Sequence, residues 1–266
     1  VRGLLLTLLL TLIPVSAPAL CWGMTDAEAI NVSGRQRMLS QRMMKNYLMI
    51  GSDVKTTEAQ AQLDAAVALF EEQFLSLSDY APDYTIREKL ASVEAIWLPH
   101  REKIIAAPDR ALAPALMQEN LSLLAACHDL VMAIEKRSGI DSGKLVNISG
   151  RQRMLSQKIA KSYMAMYWKV DSPYLEDEFR QAIDLFDQSL TELQNSGKNT
   201  QPLADALTRV RNQWKFSQSG FNLSNDGRYV PTIISVTTEN ILGQMDRITG
   251  QYESLMNSEQ LTASAF

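Results

Sequence analysis

The sequence predicts an all-α protein made of two tandem four-helix up-down bundles, paired either as an internal pseudo-dimer within one chain or between chains. Three observations carry this. The segment Asn31-Val-Ser-Gly-Arg-Gln-Arg-Met-Leu-Ser-Gln41 recurs as Asn147-Ile-Ser-Gly-Arg-Gln-Arg-Met-Leu-Ser-Gln157, with ten of eleven residues identical at an offset of 116. Self-similarity at a fixed offset marks a duplicated unit. Apolar residues in both copies recur in steps of three and four, the period of an amphipathic helix rather than a strand. Turn formers are sparse, 12 Gly and 9 Pro in 266 residues, and the strongest clusters fall between the periodic runs.

The elements follow in order. Residues 1–19 read as a secretory signal peptide: Arg2, a Leu-rich run from Leu4 to Ile13, then Ser16-Ala17-Pro18-Ala19 with its small-residue end. An uncleaved N-terminal anchor is the alternative, disfavoured by Pro14 and Pro18. The first copy spans residues 25–138, with helices expected at 26–51, 57–79, 84–106 and 110–138. The breakers are Gly51-Ser52-Asp53, Ala81-Pro82-Asp83 and Ala107-Pro108-Asp109. The second copy spans 144–258, with helices expected at 144–169, 173–195, 200–218 and 230–257. Its breakers include Gly197 and Asn225-Asp226-Gly227. The core series Leu63, Val67, Phe70, Phe74 and Leu77 maps onto Phe179, Ile183, Phe186, Leu190 and Leu193. With a slip of one residue, Ile86, Leu90, Val93 and Trp97 map onto Leu203, Leu207, Val210 and Trp214. The join, Ser138 to Gly143, is either a tight turn or a short interruption. A tight turn starts the second copy parallel to the first and lets the repeated helices pair within one chain, the favoured arrangement.

Composition excludes several classes. With 46% hydrophobic and 21% charged residues the chain is neither disordered nor a polytopic membrane protein. A net charge of -4 gives no global support to nucleic-acid binding. The chain has two cysteines, Cys21 and Cys127; a bridge between them is one reading, and a buried inert thiol at Cys127 is the favoured one. Two histidines, His100 and His128, form no zinc or haem motif, and there is no phosphate loop or nucleophile elbow. No cofactor and no catalytic activity are expected.

The repeated helix has two semi-apolar faces. At about 100° per residue, Val32, Leu39, Met43, Tyr47 and Ile50 form a stripe directed into its own bundle. The other side gathers Ile30, Gly34, Arg37, Gln41, Met44 and Leu48, and in the second copy Val146, Gly150, Arg153, Gln157, Ala160 and Met164. An arginine on a helix is ordinarily a solvated charge. Here apolar neighbours flank it, and the segment is retained in halves that have diverged elsewhere. This suits a helix–helix seam with a small, cationic centre, where glycine permits close approach. Arg37 and Arg153 facing each other at 5–6 Å repel by roughly 3 kcal/mol at an effective dielectric near 20. A planar oxyanion between the two guanidinium forks reverses that sign. Gln41 and Gln157 are candidate amide donors, and Ser33 and Ser149 candidate hydroxyl contacts. Arg35, Arg42 and Arg151 fall on the flank, as solvent or salt-bridge residues.

The repeated segment resembles the P-box shared by nitrate/nitrite sensor kinases of the NarX type and by the type IV pilus methyl-accepting transducer PilJ. The Arg-Gln pair after the glycine, Arg35-Gln36 and Arg151-Gln152, is closer to the PilJ wording. The resemblance implies a periplasmic four-helix sensor domain in which one arginine per repeated helix, here Arg37 and Arg153, clasps an anion beside Gly34 and Gly150. It thus implies a small inorganic anion such as nitrate or nitrite as ligand and a membrane-bound signalling or transport partner. The rival expectation is a helical interaction module that docks on a membrane receptor or transporter through Ile30, Met44 and Leu48 and takes no small ligand.

Overall fold

The computed structural model describes residues 23–224 and 227–263, which contain eight helices and no strand. The expected signal peptide and Cys21 lie outside them. The first half comprises α1 (Asp26–Gly51), α2 (Thr56–Tyr80), α3 (Tyr84–Ile104) and α4 (Ala113–Ser138). The second comprises α5 (Asp141–Tyr167), α6 (Leu175–Gln194), α7 (Gln201–Ser224) and α8 (Pro231–Ala263). Side chains set the starts of α1 and α3: Thr25 accepts from the Glu28 amide, and Asp83 from that of Ile86.

Boundaries depart from the sequence reading where tertiary contacts intervene. α4 starts at Ala113, not 110, because Asp109 is held in a turn. Its amide donates to Tyr47 Oη at 2.9 Å, and its carboxylate accepts from the Ala111 amide at 2.8 Å. α7 runs past 218 because Phe221 is buried against Phe179 and Trp214. α8 runs past 257, where Glu259 is held by Ser142 and Lys198. The join between the halves is a tight turn. Gly139 takes φ +63°, the left-handed conformation that favours glycine, and α5 begins two residues later, at Asp141 rather than 144.

That turn fixes the topology. Arg137 at the end of α4 bonds Asp26 at the start of α1, while Asp109, just before α4, meets Tyr47 near the end of α1. So α4 is antiparallel to α1, and α5 starts beside the start of α1 and runs parallel to it. α8 returns antiparallel to α5: the Val230 amide donates to Tyr163 Oη at 2.7 Å, and Ser142 Oγ donates to Glu259. The halves repeat in detail. Phe70 stacks on Trp97 at 4.3 Å and Phe186 on Trp214 at 4.1 Å.

α1 and α5 form the centre. Each packs on the second and fourth helices of its own half and on the other. This explains their unusual composition: a helix covered on all sides has no solvated face. Ser40, Gln41, Lys45 and Asn46 are buried as fully as Leu39 and Met43. Ile30, Met44 and Leu48, the residues expected to meet an outside partner in the docking alternative, are covered within the chain. Glycine matters at Gly51, where a Cβ would fall 2.3 Å from the Trp168 ring at the end of α5.

Candidate functional site

The two arginines of the repeated segment are wholly buried, Arg37 at 1% exposure and Arg153 at 0%. Parallel packing of α1 and α5 makes each reach across the seam. Arg37 Nη2 donates to Asn147 Oδ1 at 2.7 Å and to the Asn147 carbonyl at 3.3 Å, both on α5. Arg153 Nη2 donates to the Asn31 carbonyl on α1 at 3.0 Å. Gly34 and Gly150 make room for this. A Cβ at Gly34 would meet only Arg37 Nη2 at 3.4 Å and Arg153 Nη2 at 3.5 Å. At Gly150 the same two atoms stand at 3.7 and 3.2 Å. The two Nη2 atoms therefore lie within about 7 Å of each other, a repulsion of at least about 2 kcal/mol at an effective dielectric near 20.

The electrostatics are severe. Burial, followed by Arg151 and Arg153, pushes the Arg37 guanidinium well below its ordinary value, to about 9. Burial pushes Arg153 down to about 10, against the opposing pull of Asp246. Both Nε atoms are buried without a hydrogen-bond partner.

The structure thus brings four of the six expected site residues, Gly34, Arg37, Gly150 and Arg153, to one point. The two glutamines, though buried, make their hydrogen bonds within their own halves. Gln41 Nε2 donates to Asn120 Oδ1 on α4 at 2.8 Å and to Ser40 Oγ, and Gln157 Nε2 to Ser156 Oγ at 3.4 Å. The Ser33 and Ser149 hydroxyls donate to carbonyls of their own helices. Arg35 and Arg42 are salt-bridge residues as expected, to Asp246 and Glu239 on α8.

Other members of the site were missed by sequence reasoning. The asparagine that opens each repeat binds the arginine of the other copy. Asn147 also donates to Glu135 and Asn31 to Glu253, so each asparagine is held by the fourth helix of the opposite half. His128 on α4 lies 3.2 Å from Arg37 Nη1, and Asp246 on α8 lies 2.6 Å from Arg153 Nη1. The signal was available in the recurrence of Asn31 and Asn147 at the head of the repeat. Buried lysines also escaped notice. Lys45 pairs with Glu239 at 2.5 Å, and Lys161, pushed down to about 8 by burial, lies 3.7 Å from Glu178. Among the described residues no group of three His, Cys, Asp or Glu side chains forms a metal site.

The described residues thus form an all-helical pseudo-dimer with a polar, cationic seam between two copies of one helix. The family model for the N-terminal domain of type IV pili methyl-accepting chemotaxis transducers, PilJ, matches residues 24–121 and 140–220. The chain belongs to the PilJ family, whose domains are sensory and usually extracytoplasmic. No curated protein and no solved structure matches the chain. Among the described residues no helix is long and apolar enough to cross a membrane.

Proposed function

We propose that this PilJ-family domain is an extracytoplasmic sensor for a small oxyanion, of the nitrate or nitrite kind, recognised at the α1–α5 seam. The observation that carries the reading is the burial of two guanidinium groups within about 7 Å of each other, beside two glycines that offer no side chain in return. Buried like charges are retained at a cost to stability. A bound anion offsets that cost by charge-assisted, two-point hydrogen bonds. Gly34, Gly150 and the two arginines form the recognition centre, with Gln41 and Gln157 as buried amides one turn beyond. The anion favours the state in which α1 and α5 lie close, and a membrane-bound signalling or transport protein reads that change in packing.

The test is a thermal-shift titration of the chain from residue 20. Nitrate, nitrite, sulfate, phosphate and chloride are compared at fixed ionic strength, with Arg37→Met as control. A ligand that binds only the folded state stabilises it by about 2.7 kcal/mol at 100 times its dissociation constant. A selective rise with one planar oxyanion, absent in Arg37→Met, is expected. Equal responses to all five salts, or an undiminished response in the variant, would overturn the reading.

A further inference from the structure

The two sides of the seam are not electrically equivalent. In the fourth helices the halves correspond at an offset of 118, two more than in the repeated segment. The buried residues Leu123, Cys127, Leu130 and Ile134 then match Ile241, Met245, Ile248 and Tyr252. Glu135 matches Glu253, and the two make the same contact, each holding the asparagine of the opposite half. By the same offset His128 matches Asp246, and again both make the same contact, to the buried arginine of their own half.

The contact is the same but the charge is not. Asp246 accepts from Arg153 of α5 at 2.6 Å and from Arg35 of α1 at 3.1 Å, so one carboxylate ties the two central helices together. On the other side Arg151 of α5 is the counterpart of Arg35 at the offset of 116, and burial, followed by the charges of Arg37 and Arg151, lowers the proton affinity of His128. His128 Nδ1 faces a guanidinium nitrogen that can only donate, so it accepts, and the imidazole is neutral. The nearest carboxylates on α4 are engaged elsewhere: Glu135 with Asn147, Asp129 with Lys89. Arg37 therefore lacks the direct carboxylate partner that Arg153 has; Glu135 is linked to it only through Asn147. His128 and Arg151 are half-buried rather than enclosed, which leaves this point open to solvent at its edge.

We propose that the seam has a single oxyanion seat, formed by Arg37, Arg151 and His128, and that Asp246 fills the equivalent seat on the other side with its own carboxylate. The proposal rests on the anion reading above and sharpens it from a shared arginine pair to one asymmetric site. An anion there does what Asp246 does, bridging α1 to α5, so that occupancy closes the second of two matched ties.

The experiment uses the same chain with sodium nitrate, nitrite and sulfate as probes, in a buffer free of other oxyanions. His128→Asp installs the carboxylate that the other half already has. It is expected to melt above wild type without added anion, and to lose at least about tenfold in apparent affinity for whichever probe shifts the wild type. His128→Asn accepts from Arg37 as the imidazole does and adds no charge; it is expected to lose less of the shift than His128→Asp. Asp246→Asn opens the second seat and is expected to melt lower and to gain more from the anion. If His128→Asp responds to the anion as wild type does, the single seat is wrong while the sensor reading stands. The same holds if His128→Asn loses the response as fully as His128→Asp. If no chain responds to any probe, both fall.

Discussion

Arg37→Met is the most informative single change, because it removes a buried charge and the hydrogen bonds that hold it at once. Burial has pushed the guanidinium down to about 9, which places the charged form about 5 kcal/mol above its solvated reference at neutral pH. The sign follows from linkage. A base whose folded pKa is depressed destabilises the fold fully below about 9, and that loss is recovered as pH rises above 9 towards the ordinary arginine value. Methionine keeps most of the apolar stem and removes the charge. Against this gain, Asn147 and His128 lose a charged donor, at about 1.5 kcal/mol for each of the three hydrogen bonds. The net expectation is a small gain, below about 1 kcal/mol, at the low end of what is seen when buried charges give way to apolar residues. For a chain of this size that raises Tm by less than about 4 °C. Arg153→Met gains less, because it also strips Asp246 of its nearer partner.

The assay is equilibrium denaturation with circular dichroism, for both variants and wild type, without added oxyanion and with saturating nitrate. Stabilisation without the anion, combined with loss of the response to it, marks a residue kept for a ligand at the expense of the fold. A Tm that falls by several degrees in Arg37→Met would refute the reasoning, because it would make Arg37 a structural strut of the seam.

Three further outcomes are expected. His100 is buried beside Trp97, and burial lowers it from 6.5 to about 4, so it contributes about 3 kcal/mol that is present above pH 6.5 and lost as pH falls through 4. His100→Leu should flatten the stability–pH curve in that window relative to wild type, measured by urea denaturation. Gly51→Ala drives a Cβ into the Trp168 ring and should cost about 1–3 kcal/mol, seen as a lower Tm, despite the better helix propensity of alanine. Lys161→Met removes a buried ammonium with one distant carboxylate and should stabilise the fold. Lys45→Met should gain less, because it leaves Glu239 to Arg42 alone; the same denaturation series ranks the two.

Much of the fold was legible because duplication and period reinforce each other. Leu63, Phe70 and Leu77 in one copy and Phe186, Leu190 and Leu193 in the other are all core, and a series that repeats in two drifted halves is hard to misread. The burial of Arg37 was legible for a related reason: Ile30, Met44 and Leu48 share its helical face, and no solvated arginine needs such company. What stayed hidden depends on partners far along the chain. The correspondence of His128 with Asp246 is masked because the second half gains one residue before α7 and one more between the starts of α7 and α8, so the offset has moved by two residues. Lys45 and Lys161 were unreadable because lysine is ordinarily exposed, and their burial arises only once α8 or α6 closes over them. The end of α4's approach turn was misplaced because Tyr47, from another helix, sets it.

Fusing two copies into one chain changes what a seam of this kind can do. In a symmetric dimer every substitution appears on both sides, so a carboxylate that neutralises one arginine neutralises both, and a vacancy on one side is a vacancy on both. The turn at Gly139 removes that constraint while preserving the parallel pairing of α1 and α5. One side can then carry a permanent tie, Asp246 between Arg153 and Arg35, which holds the two helices in register whether or not a ligand is present. The other side, with a neutral imidazole where the carboxylate stands, is free to depend on what arrives from solvent. The fixed tie lowers the entropic cost of closing the second, because the helices it must bridge are already adjacent. On the proposed reading an anion supplies only the differential between two packings of one seam, and that differential is all a sensor needs from its ligand.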